Sequence, residues 1–145
     1  MVKEDRDNPE TPILKDILEK MKTIELTNAQ LTNEASLEQL FLKELRPIAQ
    51  QYKKNIQTQP KSKKEHIQIP DISIGMNEIY IELKILDGIN DLYRLFYQTI
   101  KYLKITESVL ILFVWDRKNV LKDEDKVDLL SLNRNSKILK IIKRF

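Results

Sequence analysis

Apolar and polar residues alternate most regularly between residues 69 and 85, where the pattern predicts two adjacent β-strands joined by a tight turn. Large aliphatic residues occupy every second position of both predicted strands: Ile72, Ile74, Ile79, Ile81, Leu83 and Ile85. Gly75 and Asn77 mark the turn, because both residue types tolerate a positive φ angle. The pattern therefore predicts a β-hairpin with one apolar face.

The other face of this hairpin carries three charged residues, Asp71, Glu82 and Lys84. Strand pairing can bring Asp71 and Glu82 side by side. Burying such charges is costly unless a metal ion or an opposite charge compensates them. The simpler interpretation is an exposed polar face, on which Glu82 and Lys84 are ordinary surface charges.

Helical spacing of apolar residues predicts two helices before the hairpin. Thr11 and Pro12 are suited to the N-cap and first position of the first helix, which either covers the sheet or contacts a second subunit. The apolar stripe of the second helix consists of Leu37, Phe41, Leu45 and Ile48. Pro47 should kink this helix or end it early, because its ring removes a backbone donor.

A third helix is predicted over residues 89–104, after the strand-breaking pair Asp87-Gly88, and is expected to face the core through Ile89, Leu92, Phe96 and Leu103. The continuous apolar run at 108–115 predicts a buried central strand, so that strand, helix and strand form a right-handed crossover.

The remaining segments give weaker patterns. Residues 56–65 are predicted to form a polar loop, and residues 123–132 a short helix. Residues 136–144 fit either a last strand or a basic terminal helix, of which we favour the strand.

Composition narrows the range of functions without choosing one. The 145 residues suggest a single domain, and a net charge of +3 with a pI near 9.0 is compatible with nucleic acid. The chain has no cysteine and a single histidine, His66, which excludes disulfides, a thiolate zinc site and a pair of catalytic histidines. We find no membrane-spanning run and no signal-peptide pattern, and therefore expect a soluble, cytoplasmic protein without membrane contact.

Two motifs resemble the PD-(D/E)xK nuclease superfamily. Pro70-Asp71 is followed eleven residues later by Glu82-Leu83-Lys84, and both lie on the predicted hairpin. Gln98 and Tyr102 form a Gln-x-x-x-Tyr motif on the next helix, as in the RecB-like branch. The resemblance implies an α/β fold with a restriction-endonuclease-like core, in which helices flank a central mixed β-sheet in the order αβββαβ. Residues 34–145 would form this core, and residues 1–33 an N-terminal extension with one helix.

The resemblance also implies a metal-dependent nuclease that hydrolyses phosphodiester bonds, most simply a Mg²⁺-dependent deoxyribonuclease. Asp71, Glu82, the carbonyl of Leu83 and Glu38 from the second helix would hold Mg²⁺, for which Mn²⁺ would substitute. Glu34 and Glu44 are alternatives to Glu38, and the simpler interpretation is that all three are solvated glutamates on a surface helix.

The remaining motif residues would act on water and substrate. Lys84 would position or deprotonate the attacking water or stabilise the transition state, and Gln98 would orient Lys84 or the water. Nucleic acid, with DNA preferred to RNA, would be held by a basic and aromatic set: Tyr102, Arg94, Lys101, Lys61, Lys63 and Lys64. A homodimer is compatible with the sequence.

Two other classes of function remain open from the sequence. The first is a catalytically inactive relative of the same fold that only binds nucleic acid or a partner protein. The second is a protein-interaction domain in which Asp71, Glu82 and Lys84 form a surface salt-bridge cluster. Metal binding separates the second class from both others.

Overall fold

The structure, a computed structural model, describes residues 11–26, 33–58, 71–76, 78–105, 109–125, 128 and 139–144. For residues 102–105 and 139–144 it describes the backbone alone. The elements are three helices, α1 (Pro12–Thr23), α2 (Glu34–Gln51) and α3 (Ile89–Ile105), and five strands, β1 (Ile56–Thr58), β2 (Ile72–Ile74), β3 (Ile79–Ile85), β4 (Val109–Trp115) and β5 (Leu139–Arg144).

The five strands form one mixed sheet in the order of the chain, β1-β2-β3-β4-β5. β1, β2 and β3 are antiparallel neighbours, whereas β4 runs parallel to both β3 and β5. Helix α3 connects the parallel strands β3 and β4. The structure thus confirms a mixed α/β architecture with helices on both sides of the sheet, and the elements from α2 to β4 follow in the predicted order.

The predicted hairpin is present as β2 and β3, and its aliphatic face is buried. Gly75 has a φ of 71° in the connecting turn, a conformation that is unstrained only for glycine, and its N–H donates to the Asn55 carbonyl at 2.8 Å. Asn77 lies outside the described residues.

The two faces of the sheet contact different helices. The aliphatic residues of β2 and β3 share a core with α1 and α2, in which the Phe41 and Phe113 rings meet edge to face at 4.6 Å. On the opposite face, Leu110, Leu112 and Val114 of β4 pack with Leu92 and Leu95 of α3. Helix α1 therefore belongs to the core.

Three expectations were wrong in detail. Residues 56–58 form β1 rather than a loop, because their backbone pairs with β2, a long-range contact that three residues cannot signal. Of the two effects expected of Pro47, an early end of α2 is wrong, because the helix continues to Gln51, whereas the kink stays a prediction. Pro47 is exposed, so water can solvate the carbonyl that its ring leaves without a donor. Ile89 is 46% exposed, since the buried stripe of α3 follows Leu92, Leu95 and Thr99.

The predicted buried strand is confirmed as β4, and the strand interpretation of the C-terminal segment is confirmed as β5. The backbone is helical at 123–125 and at 128, and the rest of the predicted helix over 123–132 lies outside the described residues.

Within the described part of the chain, no helix is both long enough and apolar enough to cross a lipid bilayer.

Candidate active site at the end of strand β3

The described pairing between β2 and β3 ends where the charged residues begin. The described ladder between the two strands ends at the Ile72–Ile81 pair, and continuing its register by one residue places Asp71 opposite Glu82. Asp71 uses its side chain there, because its Oδ2 accepts a hydrogen bond of 2.7 Å from the Leu83 amide. The N–H and C=O of a strand residue point to the same side of the strand, so the Leu83 carbonyl also points to the side of β3 where Asp71 lies.

Glu34 reaches the same side of β3 two residues further along the strand. Its Oε2 accepts from the Ile85 amide at 3.0 Å and lies 3.5 Å from Lys84 Nζ. Glu34 is the first residue of α2, whose N-terminus is fixed by a reciprocal capping box between Asn33 and Ser36. The capped helix end therefore delivers a carboxylate to the last residues of β3.

Glu82 and Lys84 are not surface charges, since each is only 6% exposed. Both alternate with the aliphatic residues of β3 and therefore lie on the sheet face covered by α3. Two charged residues buried on the same strand require compensating groups around them. The interpretation of the hairpin as an exposed polar face is therefore wrong.

An open pocket of about 430 Å³ lies beside Lys84. It is lined mainly by charged residues from α2, the end of β3, α3 and the loop after β4: Glu34, Lys84, Asp87, Asp91, Arg94 and Arg117. Three carboxylates thus face three cations, in a space of the size that small-ligand sites occupy.

Arg117 is the most firmly held cation of this pocket. Its Nε and Nη2 donate to the two carboxylate oxygens of Asp87 at 2.7 and 3.0 Å, and its guanidinium lies 5.4 Å from the centre of the Trp115 ring. The hydrogen bonds from Arg117 lower the pKa of Asp87, against a smaller effect of desolvation, and the same contact raises the pKa of Arg117. Both groups stay charged at neutral pH.

Of the two predicted nucleic-acid-binding residues whose side chains are described, Arg94 lines the pocket, where its Nη2 lies 3.9 Å from Asp91 Oδ1. Gln98, one turn further along α3, is half-buried. Its Oε1 is buried and has no hydrogen-bond donor among the described residues. Such an acceptor is costly unless a further partner satisfies it. The expected contact between Gln98 and Lys84 or a water stays a prediction.

The other predicted site residues divide into three groups. Glu38 is buried on α2, whereas Glu44 lies on the same helix near α1, with its Oε1 4.0 Å from Lys20 Nζ. Lys101 lies over the ring of Tyr97, outside the pocket. The remaining predicted residues lie outside the described side chains: Tyr102, Lys61, Lys63 and Lys64.

The predicted metal ligands come from three parts of the chain: helix α2, the residue before β2, and strand β3. Glu82 lies on the face covered by α3, whereas Glu38 belongs to the helix on the opposite face. Among the described residues, no group of three or more histidine, cysteine, aspartate or glutamate side chains could hold a metal ion. Magnesium is commonly held by one or two carboxylates together with water and substrate oxygens. Asp71, Glu82 and the Leu83 carbonyl are oxygen donors of this kind, and their binding of a metal ion stays a prediction.

Sequence reasoning missed Arg117, Asp87 and Asp91 as pocket residues. A signal was available for Arg117, which follows the apolar run of β4 after one residue. The carboxyl ends of adjacent parallel strands lie at the same edge of a sheet, so the residues after β3 and β4 are expected to lie close together.

Comparison of the chain with protein-family models, with curated proteins and with solved structures found no match.

Proposed function

We propose that this protein is a metal-dependent nuclease with a restriction-endonuclease-like core, and that its active site is the end of β3. Its reaction would be hydrolysis of a phosphodiester bond, with DNA as the preferred substrate. The observation that carries this proposal is the burial of Glu82 and Lys84 on one strand, beside the Leu83 amide that donates to the Asp71 side chain.

This arrangement is poorly explained by stability alone. A buried carboxylate and a buried ammonium are often less favourable than apolar residues of the same volume. The same charges are useful in hydrolysis, because a water must be oriented and negative charge develops on the phosphate oxygens. A functional role for these charges would explain why the chain keeps them buried despite the free energy that their desolvation costs.

Each residue has a role in the proposed reaction. Water oxygen forms a bond to phosphorus, the bond from phosphorus to the leaving oxygen breaks, and one proton of the water is lost while the leaving oxygen gains a proton. Lys84 would stabilise the charge on the phosphate and orient the water, and Glu34 would hold the Lys84 ammonium from 3.5 Å away. Arg94 would contact an adjacent phosphate from the side of α3.

A Mg²⁺ ion would be held by Asp71, Glu82 and the Leu83 carbonyl. It would supply neutralisation of the phosphate and a lower pKa for bound water. Two carboxylates at neighbouring positions repel each other, and a cation bound between them would offset that repulsion.

The test is a cleavage assay with supercoiled plasmid, linear duplex and single-stranded DNA, each with Mg²⁺, Mn²⁺ or EDTA. Wild-type protein is compared with Lys84→Ala and with Lys43→Ala, which removes an exposed lysine from α2. We expect cleavage that needs the metal, is abolished in Lys84→Ala and is unchanged in Lys43→Ala.

Intact DNA in every lane, with no rise in melting temperature on adding either metal, would overturn the proposal. Metal-induced stabilisation without cleavage of any of the substrates would instead favour an inactive relative of the same fold.

A further inference from the structure

The outer face of α3 exposes four large apolar residues, which we call the α3 outer stripe: Ile89, Tyr93, Tyr97 and Ile100. Tyr93 and Tyr97 are 63% and 60% exposed and are separated by one helical turn, so their rings emerge on the same face. None of the four residues lines the pocket described above. The proposed chemistry therefore leaves this stripe unexplained.

Cations accompany the two tyrosines. Lys101 Nζ lies 5.2 Å from the centre of the Tyr97 ring, on the side of the stripe that faces the C-terminal end of α3. Arg94 lies three residues before Tyr97 and lines the pocket. Helix geometry makes Tyr97 a neighbour of Tyr93, Arg94 and Lys101 at once. A continuous surface of rings and cations thus leads from the outer side of α3 to the pocket beside Lys84.

We propose that Tyr93 and Tyr97 form a stacking platform for the bases of single-stranded nucleic acid, whose phosphates contact Arg94 and Lys101. This inference rests on the proposed function, because the strand held on α3 is the substrate of the same site. Flat aromatic rings beside cations suit a polyanion with flat bases better than they suit an apolar partner.

The spacing of the rings favours an unpaired strand. Residues four apart on a helix are separated by about 6 Å along its axis. Stacked bases in a DNA strand are separated by about 3.4 Å. Two bases that engage both rings are therefore unstacked from each other, as in the extended strands that aromatic platforms bind. Bases within a duplex have their flat faces covered by their neighbours.

The test measures binding in EDTA, where metal-dependent cleavage is stopped. A fluorescein-labelled DNA strand, alone and annealed to its complement, is titrated with protein and followed by fluorescence anisotropy. The variants are Tyr97→Ala, Tyr97→Phe and, as a matched exposed apolar residue on the β2–β3 turn, Met76→Ala, with circular dichroism as the check on folding.

We expect tighter binding of the single strand than of the duplex. Tyr97→Ala should weaken single-strand binding on the order of 5- to 100-fold, whereas Tyr97→Phe, which keeps the ring, and Met76→Ala should bind like wild type. Lys101→Ala should reduce the slope of log K against log salt by about 0.7, the value for one phosphate contact on a single strand.

Equal affinity for strand and duplex, or unchanged binding by a folded Tyr97→Ala protein, would overturn the platform. So would a wild-type dimer that Tyr97→Ala converts to monomer in sedimentation, since the stripe would then be a subunit interface. Lys84-dependent cleavage without single-strand preference would refute this inference alone. Tyr97-dependent strand binding without cleavage in Mg²⁺ would refute only the proposed function.

Discussion

Gly75 is the residue whose replacement is most directly constrained by geometry. Its φ of 71° is strained for any residue with a side chain, and a Cβ there would lie 2.8 Å from Glu78 Oε1. That oxygen is also 2.6 Å from Lys54 Nζ, so moving it would disturb an ion pair. We expect Gly75→Ala to lower the free energy of unfolding by about 1–2 kcal/mol in urea denaturation.

Gly88 provides the matched control. A Cβ added at Gly88 has no neighbouring atom within 4 Å, and the residue does not have a positive φ in the left-handed range. Gly88→Ala should leave the free energy of unfolding unchanged or raise it by about 0.4–1 kcal/mol through the unfolded state. Equal destabilisation by both substitutions would contradict the turn geometry.

The Asp87–Arg117 pair predicts a specific pH dependence. The pKa of Asp87 is lowered in the folded state by its hydrogen bonds to Arg117, so the pair stabilises the fold above the unfolded pKa of roughly 3.9. That contribution is lost as the pH falls through the lower, folded-state pKa. Asp87→Asn should therefore reduce the free energy of unfolding at neutral pH by up to about 1 kcal/mol, the ordinary size of an accessible ion pair.

The measurement is urea denaturation of wild type and Asp87→Asn from neutral to strongly acidic pH, with Glu25→Gln as an exposed control on the α1–α2 segment. The difference between wild type and Asp87→Asn should shrink as the solution becomes acidic. A difference that grows at low pH would have the wrong sign for a lowered pKa.

At the scale of elements, α2 both supports the core and presents Glu34 to β3. The Asn33 side chain caps α2 by accepting from the Ser36 amide at 2.9 Å, and the Thr11 side chain caps α1 by accepting from the Leu14 amide at 3.3 Å. Asn33→Ala and Thr11→Ala should each cost about 1 kcal/mol of stability.

Only the first of these substitutions should affect nuclease activity. Fraying the first turn of α2 would displace Glu34 from the Ile85 amide and Lys84, whereas α1 lies away from the pocket. Steady-state cleavage rates at a temperature where both variants are folded provide the comparison. Equal rates for Asn33→Ala and Thr11→Ala would show that the capped end of α2 does not position the site.

Elements with strong local periodicity were predictable from the sequence. The alternating aliphatic residues of β2 and β3, the apolar run of β4 and the helix after Asp87-Gly88 each carry their own pattern. The alternation also placed Glu82 and Lys84 on one face of β3. Their burial was not predictable, because it depends on α3 covering that face.

Features set by long-range packing could not be predicted. The rotation of α2 and the start of its first turn decide which carboxylate reaches Ile85 and Lys84, and Glu34 makes these contacts. The exposure of Ile89 depends on which side of α3 meets the sheet. β1 exists because it pairs with a strand more than ten residues away.

At the scale of the whole molecule, the topology gathers the candidate site at one place. The parallel strands β3 and β4 end at the same edge, Asp87 and Arg117 follow them, and the N-terminus of α2 meets this edge from the other side of the sheet. Such convergence at the carboxyl ends of strands is where ligands bind in many α/β sheets. The fold thus supplies a site without a separate domain.

The measurement that tests the central claim most directly is the rate of Mg²⁺-dependent DNA cleavage by Glu82→Gln relative to wild type. This substitution keeps the shape of a residue that is 6% exposed and removes only its charge. Circular dichroism checks the folding of this variant, because removing one buried charge leaves the neighbouring charges with less compensation.

We expect Glu82→Gln to lose cleavage by about 100-fold or more, the scale on which single electrostatic groups act in catalysis, and to lose its metal-induced rise in melting temperature. A folded Glu82→Gln protein that cleaves DNA at the wild-type rate would contradict the assignment of the active site to β3.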